Sequence, residues 1–152
     1  MDNRYICKAK RKDNGEWVEG YYVCLNADRH FIYTGYAETD CGTYYPDCHE
    51  VIPETVGRCT ELKDKNGKWI FEGDILHIKT GKGWSCPIGT DIYYKVVFTE
   101  FNREHYSCTE YIGFMAKRSN NNLSSIYYVV TNYGAEVIGN IYDNHELLEV
   151  EK

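Results

Sequence analysis

The sequence predicts a mainly β protein, between all-β and α+β, and three observations carry that prediction. Tyrosine is abundant, at fifteen of 152 residues, and aromatic side chains suit a pleated, half-buried surface. Asn-Gly pairs recur between apolar runs, at Asn14-Gly15 and Asn66-Gly67, which is a strong short-range hairpin signal. Methionine is scarce, with two residues, so little of the apolar content reads as helical core. The expected architecture is a set of twisted antiparallel sheets in two parts, residues 1–60 and 61–152.

The clearest stretch runs from Glu61 to Lys79. It holds the Lys65-Asn66-Gly67-Lys68 turn, an apolar run (Trp69, Ile70, Phe71), Gly73, and an alternating strand through Ile75, Leu76 and Ile78. An Asn-Gly turn of type I′ needs positive φ at both central residues, which asparagine and glycine tolerate. Gly73 inside a strand pattern predicts a bulge that bends the sheet.

In chain order, residues 4–10 form an expected first strand. Asp13-Asn14-Gly15 turns it into a second, residues 17–25, and residues 29–34 follow as a third. A loop-rich region then runs through Pro46, a short strand covers 50–52, and Pro53 to Gly57 turns into a strand ending near Thr60. The segments 12–20 and 65–73 share turn, tryptophan, apolar residue, glutamate and glycine, as a duplication or as one hairpin solution used twice. After the 61–79 stretch, residues 80–91 make a polar loop that lacks the Gly-Lys-Ser/Thr ending of a phosphate loop. Residues 92–98 and 106–114 are expected strands. Residues 123–133 fit a helical face (Leu123, Ile126, Tyr127, Val130, with Gly134 as stop) and also carry strong strand propensity, so both readings stay open. A strand over 136–142 precedes a short C-terminal helix, with Asp143 as N-cap, Glu146 as its capping partner, and Leu147 and Leu148 laid on the sheet.

Charge and cysteine usage bound the function. The formal net charge is −6, and both parts are mildly acidic: seven basic and ten acidic groups in 1–60, ten and thirteen in 61–152. That balance argues against a duplex-DNA binder that works by neutralising phosphates. The densest basic run, Lys8 to Lys12, reads as a solvated strand end. No segment reaches the ~20 apolar residues of a membrane span, and Met1-Asp2-Asn3-Arg4-Tyr5 does not read as a signal peptide. Seven scattered cysteines therefore read as reduced thiols in a bacterial cytoplasm, several of them small core residues.

Two constellations hold residue types that could carry chemistry. Cys41, Cys48 and His49, with Cys59 in reach, could supply zinc ligands, but six residues separate the first two cysteines where structural zinc sites usually have two to four. Glu72 and Asp74, with His77 nearby, could supply a metal-assisted hydrolase; counting by twos puts the carboxylates on one strand face and His77 on the other. The plainer reading is a bend flanked by solvated charges. No catalytic, cofactor-binding or metal-binding residue is assigned, and no cofactor is expected.

Three motifs occur in order: Pro53-Glu54-Thr55-Val56-Gly57; Leu62 to Gly67 with Phe71-Glu72-Gly73-Asp74-Ile75; and Val137 to Asn144 with Glu146-Leu147-Leu148. Together they resemble the YopX family of phage and prophage proteins over essentially the whole chain. Two positions depart from that pattern: His145 stands where the family usually has proline, and Glu61 where it usually has glycine. The resemblance implies a phage-encoded, mainly β protein of uncharacterised function, oligomeric, with an SH3-like small barrel in 61–152. It supplies no residue roles.

The expected function is a non-catalytic accessory protein that binds or assembles through a tyrosine-rich surface, as a homo-oligomer or with a host or phage macromolecule. The alternative is a single-stranded nucleic-acid-binding barrel that stacks bases on aromatic rings, and behind it the hydrolase.

Overall fold

A computed structural model describes residues 5–26, 28–82, 87–102 and 110–149. The chain is mainly β, as its composition predicts, with one α-helix. It divides into two compact units, Met1–Glu61 and Leu62–Lys152.

In the first unit, β1 (Ile6–Lys10), β2 (Trp17–Leu25), β3 (Arg29–Glu38) and β4 (Tyr44–Glu50) form antiparallel neighbours, and β5 (Gly57–Lys63) starts against β1. One sheet face carries the core, where Cys7 lies opposite Gly20 and Ala9 opposite Val18, joined by Ile32, Val51 and Val56. Gly20 is needed there: a Cβ would sit 2.3 Å from the Tyr33 carbonyl oxygen and 2.9 Å from Ile32 Cγ2. Residues 44–50, expected as loop, are an edge strand. Pro46 is tolerated because an edge strand needs no N–H on its open side.

The turn between β1 and β2 is not type I′. Gly15 has φ +73, but Asn14 is not left-handed. Arg11 N–H donates to Glu16 O (2.8 Å) and Gly15 N–H to Arg11 O (3.0 Å), which leaves a four-residue loop. The Asn66-Gly67 turn departs differently. Gly67 N–H donates to Asp64 O (3.0 Å) and Asp64 N–H to Lys68 O (2.9 Å), with φ +83 at Gly67 alone. That is a three-residue loop closed by a left-handed glycine.

In the second unit, β6 (Trp69–Phe71) closes this hairpin. The strands β7 (Asp74–Lys79), β8 (Asp91–Asn102), β9 (Glu110–Lys117), β10 (Leu123–Ser125) and β11 (Glu136–Asn140) form an antiparallel sheet in the order β10-β9-β8-β7-β11. Its core holds Ile70, Leu76, Ile78, Ile92, Tyr94, Val96 and Ala116, covered by Ile126 and Val129 of the helix α1 (Ile126–Tyr133). Gly73 does not bulge a strand: it sits at φ +86 in the tight turn between β6 and β7. The bulge lies in β11, where Ile138 is skipped in the pairing with β7.

Both readings of residues 123–133 are realised in succession, a three-residue strand and then a helix. Ser125 caps the helix by accepting from Tyr128 N–H (3.4 Å), and Gly134 ends it in the left-handed conformation. The helix's inner face is Ile126 and Val129 with Val130 and Tyr133 beside them, whereas Tyr127 points to solvent. The C-terminal helix is a single 3₁₀ turn, His145–Leu148, without the expected capping box; Asn144 holds the N-cap position and Asp143 lies in the preceding turn. Asn144 Oδ1 instead accepts from the Asn140 N–H (3.4 Å), so this segment is held by side chains reaching back to β11. Leu147 and Leu148 are half-buried. The first residues of the strand expected over 106–114 lie outside the described residues, as do Cys86 and Cys108.

Candidate contact face

The residues considered for metal-assisted hydrolysis are dispersed. Asp74 is fully buried and accepts from Phe71 N–H (2.9 Å) and Asn140 Nδ2 (3.2 Å), which uses both its oxygens structurally. Glu72 stands in the turn, so the two carboxylates do not share a strand face. His77 belongs to another group: its Nδ1 lies 3.1 Å from Glu136 Oε1 and its Nε2 2.7 Å from Asp91 Oδ1, with the Tyr93 ring stacked on it. Lys65 Nζ meets the other oxygen of Glu136 at 2.7 Å. Lys65 first, and then His77, hold the Glu136 carboxyl down to about 2.

The cysteine–histidine set is dispersed as well. Cys48 and His49 are consecutive in β4 and so point to opposite faces, and Cys59 is buried in β5. Cys41 sits in the tight turn before β4, where the Thr39 hydroxyl (3.0 Å) and then that of Thr43 lower its thiol to about 7. Among the described residues no group of three or more His, Cys, Asp or Glu side chains could hold a metal ion. The basic run is engaged locally: Lys8 and Lys10 lie over the Trp17 ring (4.9 and 5.6 Å), Arg11 pairs with Asp13 (2.6 Å) and Lys12 with Glu50 (3.0 Å).

The register of the first unit brings together a surface that residue types alone do not reveal. Tyr21 lies opposite Tyr33 and Val23 opposite Phe31, and these share the sheet face away from Ile32 and Ala9. Leu25 and Arg29 extend the row, with the Arg29 guanidinium 4.9 Å over the Phe31 ring. Strict alternation would put Tyr36 on the other side from Tyr33. A bulge between Tyr33 and Gly35, where β3 skips a pairing with β4, returns Tyr36 to the same face. The two rings meet edge to face at 5.8 Å, and burial, then the hydrogen bond with Tyr36, raises the Tyr33 hydroxyl pKa. Tyr44 continues the stripe opposite Glu38. Tyr36 and Tyr44 keep 70% and 64% of their surface in solvent, and Leu25 52%. Gly35, inside the strand at φ +149, marks the bulge, but the third strand expected over residues 29–34 stops short of it, so the stripe was not legible from spacing.

Two hollows lie elsewhere on the units. One of about 350 Å³ in the first unit is lined by Arg11, Lys12, Asp13, Cys48, His49 and Glu50, and its cations are already paired with its acids. One of about 100 Å³ in the second unit is lined by Lys95, Lys117, Arg118, Ser119, Asn121 and Leu148.

A model of the YopX protein family matches residues 8–149. The chain belongs to the YopX family. Comparison with curated proteins finds no match. Membership gives meaning to one of the two departures from the family's pattern. Glu61, where the YopX pattern has glycine, stands at φ +62, a left-handed conformation that glycine adopts without strain. Among the described residues no helix is long and apolar enough to cross a membrane.

Proposed function

We propose that this YopX-family chain is a phage-encoded, non-catalytic accessory protein of the host cytoplasm. It works by contact, through the aromatic stripe of Tyr21, Phe31, Tyr33, Tyr36 and Tyr44, and forms a homo-oligomer across it. The SH3-like barrel closure of 61–152 belongs to the same reading. The observation that carries it is the row of rings on one face of β2, β3 and β4, half-buried at Tyr21, Phe31 and Tyr33 and exposed at Tyr36 and Tyr44. Tyrosine suits such a surface because its ring is buried on contact while its hydroxyl finds a partner. The rim carries Arg29 against Glu19, Glu38 and Glu50, a mixed set that fits a second copy better than a polyanion.

Size-exclusion chromatography with light scattering tests it. A mass above one chain is expected, falling to the monomer on Tyr36→Glu with Tyr44→Glu while the circular-dichroism spectrum is kept. A strict monomer for the unaltered chain overturns the oligomer. Stripe-dependent capture of a single-stranded oligonucleotide by that monomer would favour base stacking instead.

A further inference from the structure

We propose that the second unit binds a phosphate-type oxyanion in the hollow lined by Lys95, Lys117 and Arg118. Lys95 and Lys117 stand directly opposite each other in the β8–β9 register. Like charges in that position repel and destabilise a sheet. Neither lysine side chain makes a hydrogen bond or ion pair with any described residue. They sit on the face away from Tyr94 and Val96, with Tyr93, His77 and the buried Ile75 that lies opposite Lys95.

The turn from β9 to β10 completes the site. Arg118 N–H donates to Asn122 O (2.9 Å) and Asn121 N–H to Arg118 O (3.0 Å), and Asn121 is left-handed at φ +66. That closed turn lines the hollow with Arg118, Ser119 and Asn121 beside the two lysines, with Leu148 as an apolar wall. Among the described lining residues three are cations and none is an acid; Glu149, exposed, follows Leu148 in the chain. Two directly opposed lysines bordering a hollow of about 100 Å³, with Arg118, Ser119 and Asn121 in its lining, match a tetrahedral oxyanion with several acceptor oxygens. The larger hollow of the first unit makes the contrast. There Arg11 and Lys12 face Asp13 and Glu50 at 2.6 and 3.0 Å, and no charge is left to answer.

Thermal unfolding at neutral pH with sodium phosphate or with sodium chloride at equal ionic strength tests the site. A ligand of the folded state raises the midpoint by mass action, so phosphate is expected to stabilise the full chain beyond chloride. Without phosphate, Lys117→Gln is expected to raise the midpoint, because it removes a like-charged neighbour. With phosphate, Lys95→Gln and Lys117→Gln gain less than the unaltered chain and bind about tenfold more weakly, the effect of one lost charge-assisted hydrogen bond. Lys12→Gln in the other hollow leaves the phosphate response unchanged. Anisotropy with a short labelled oligothymidine separates the sources of the anion. Lysine-dependent binding tighter than to inorganic phosphate assigns the site to a nucleic-acid backbone, and equal or absent oligonucleotide binding to a small free phosphate. If phosphate stabilises no more than chloride and no lysine-dependent oligonucleotide binding is seen, the site does not exist. Lysine variants that respond like the parent chain overturn it equally.

Discussion

At the scale of single residues, the backbone angle of Glu61 has the most direct consequence. A non-glycine residue at φ +62 places its Cβ against the neighbouring carbonyl, a cost of roughly 1–2 kcal/mol, part of which glycine returns through its greater freedom in the unfolded chain. Glu61→Gly is expected to raise stability by about 0.5–1 kcal/mol, read as a higher urea midpoint at unchanged slope. A lower midpoint would mean that the side chain outweighs the strain. Glu136 gives a second test, in pH. Its folded carboxyl lies at about 2 against an ordinary 4.5, because Lys65 and then His77 favour the charged form. A depressed pKa adds stability above the unfolded value, and that stability is lost as pH falls from about 4.5 towards about 2. Glu136→Gln is expected to flatten the acid limb of a stability–pH curve over that interval. An unchanged limb would place acid sensitivity elsewhere.

At the scale of elements, the two Asn-Gly hairpins show what a motif specifies. Each places a tryptophan at the start of the outgoing strand beneath lysine: Lys8 and Lys10 over Trp17, and Lys63 over Trp69 at 4.3 Å. The loops differ by one residue, and the matched glycines do different jobs, Gly20 in close strand approach and Gly73 in a turn. The first hairpin is tied to β4 by Lys12 N–H donating to Glu50 O (2.9 Å), and the second is anchored by a buried carboxylate. Asp64 Oδ1 accepts the N–H groups of Asn66 (2.8 Å) and Lys68 (2.9 Å), and Oδ2 accepts from Val137 N–H (3.0 Å), tying the turn to β11. Burial pushes the Asp64 pKa up, and these three donors outweigh it and leave it lowered. Asp64→Ala is expected to cost about 2–4 kcal/mol, since it strands several donors at roughly 1–3 kcal/mol for each one left buried. Asp64→Asn, which keeps one carbonyl oxygen, should fall between. Equal stability of all three forms would deny the anchor. Urea melts with hydrogen exchange at the Val137 amide would separate these outcomes.

At the scale of the whole molecule, the surplus of exposed tyrosine is the property that calls for a function. Each unit builds its core on one face of its sheet, and the first unit leaves rings uncovered, Tyr36 and Tyr44 on the far face and Tyr22 and Tyr45 at the margin of the core face. The loss of oligomer mass on Tyr36→Glu with Tyr44→Glu belongs here, because an interface is built from the sum of such rings rather than from any one. Pro46 on the edge strand β4 bears on which surface serves. By removing one N–H from the open edge it discourages strand addition there, and directs association to the sheet face.

Local chemistry settled much of this chain. The strands within 6–25, 69–79 and 92–98, the turns at Asn14-Gly15 and Asn66-Gly67, and the mainly β class were all legible, because alternation and turn propensity act between near neighbours. Three things depended on tertiary structure. Residues 44–50 became a strand although Pro46 spoke for loop, because β3 offered a partner along its length. The Asn-Gly loops took lengths set by the register of the strands they join rather than the two-residue form. Tyr36 found its role through a bulge in the pairing with β4, Asp74 through the distant Asn140 amide, and His77 through two flanking strands. Periodicity reports which side a residue faces only until the register shifts. What then lies across from it is decided by the packing of distant segments.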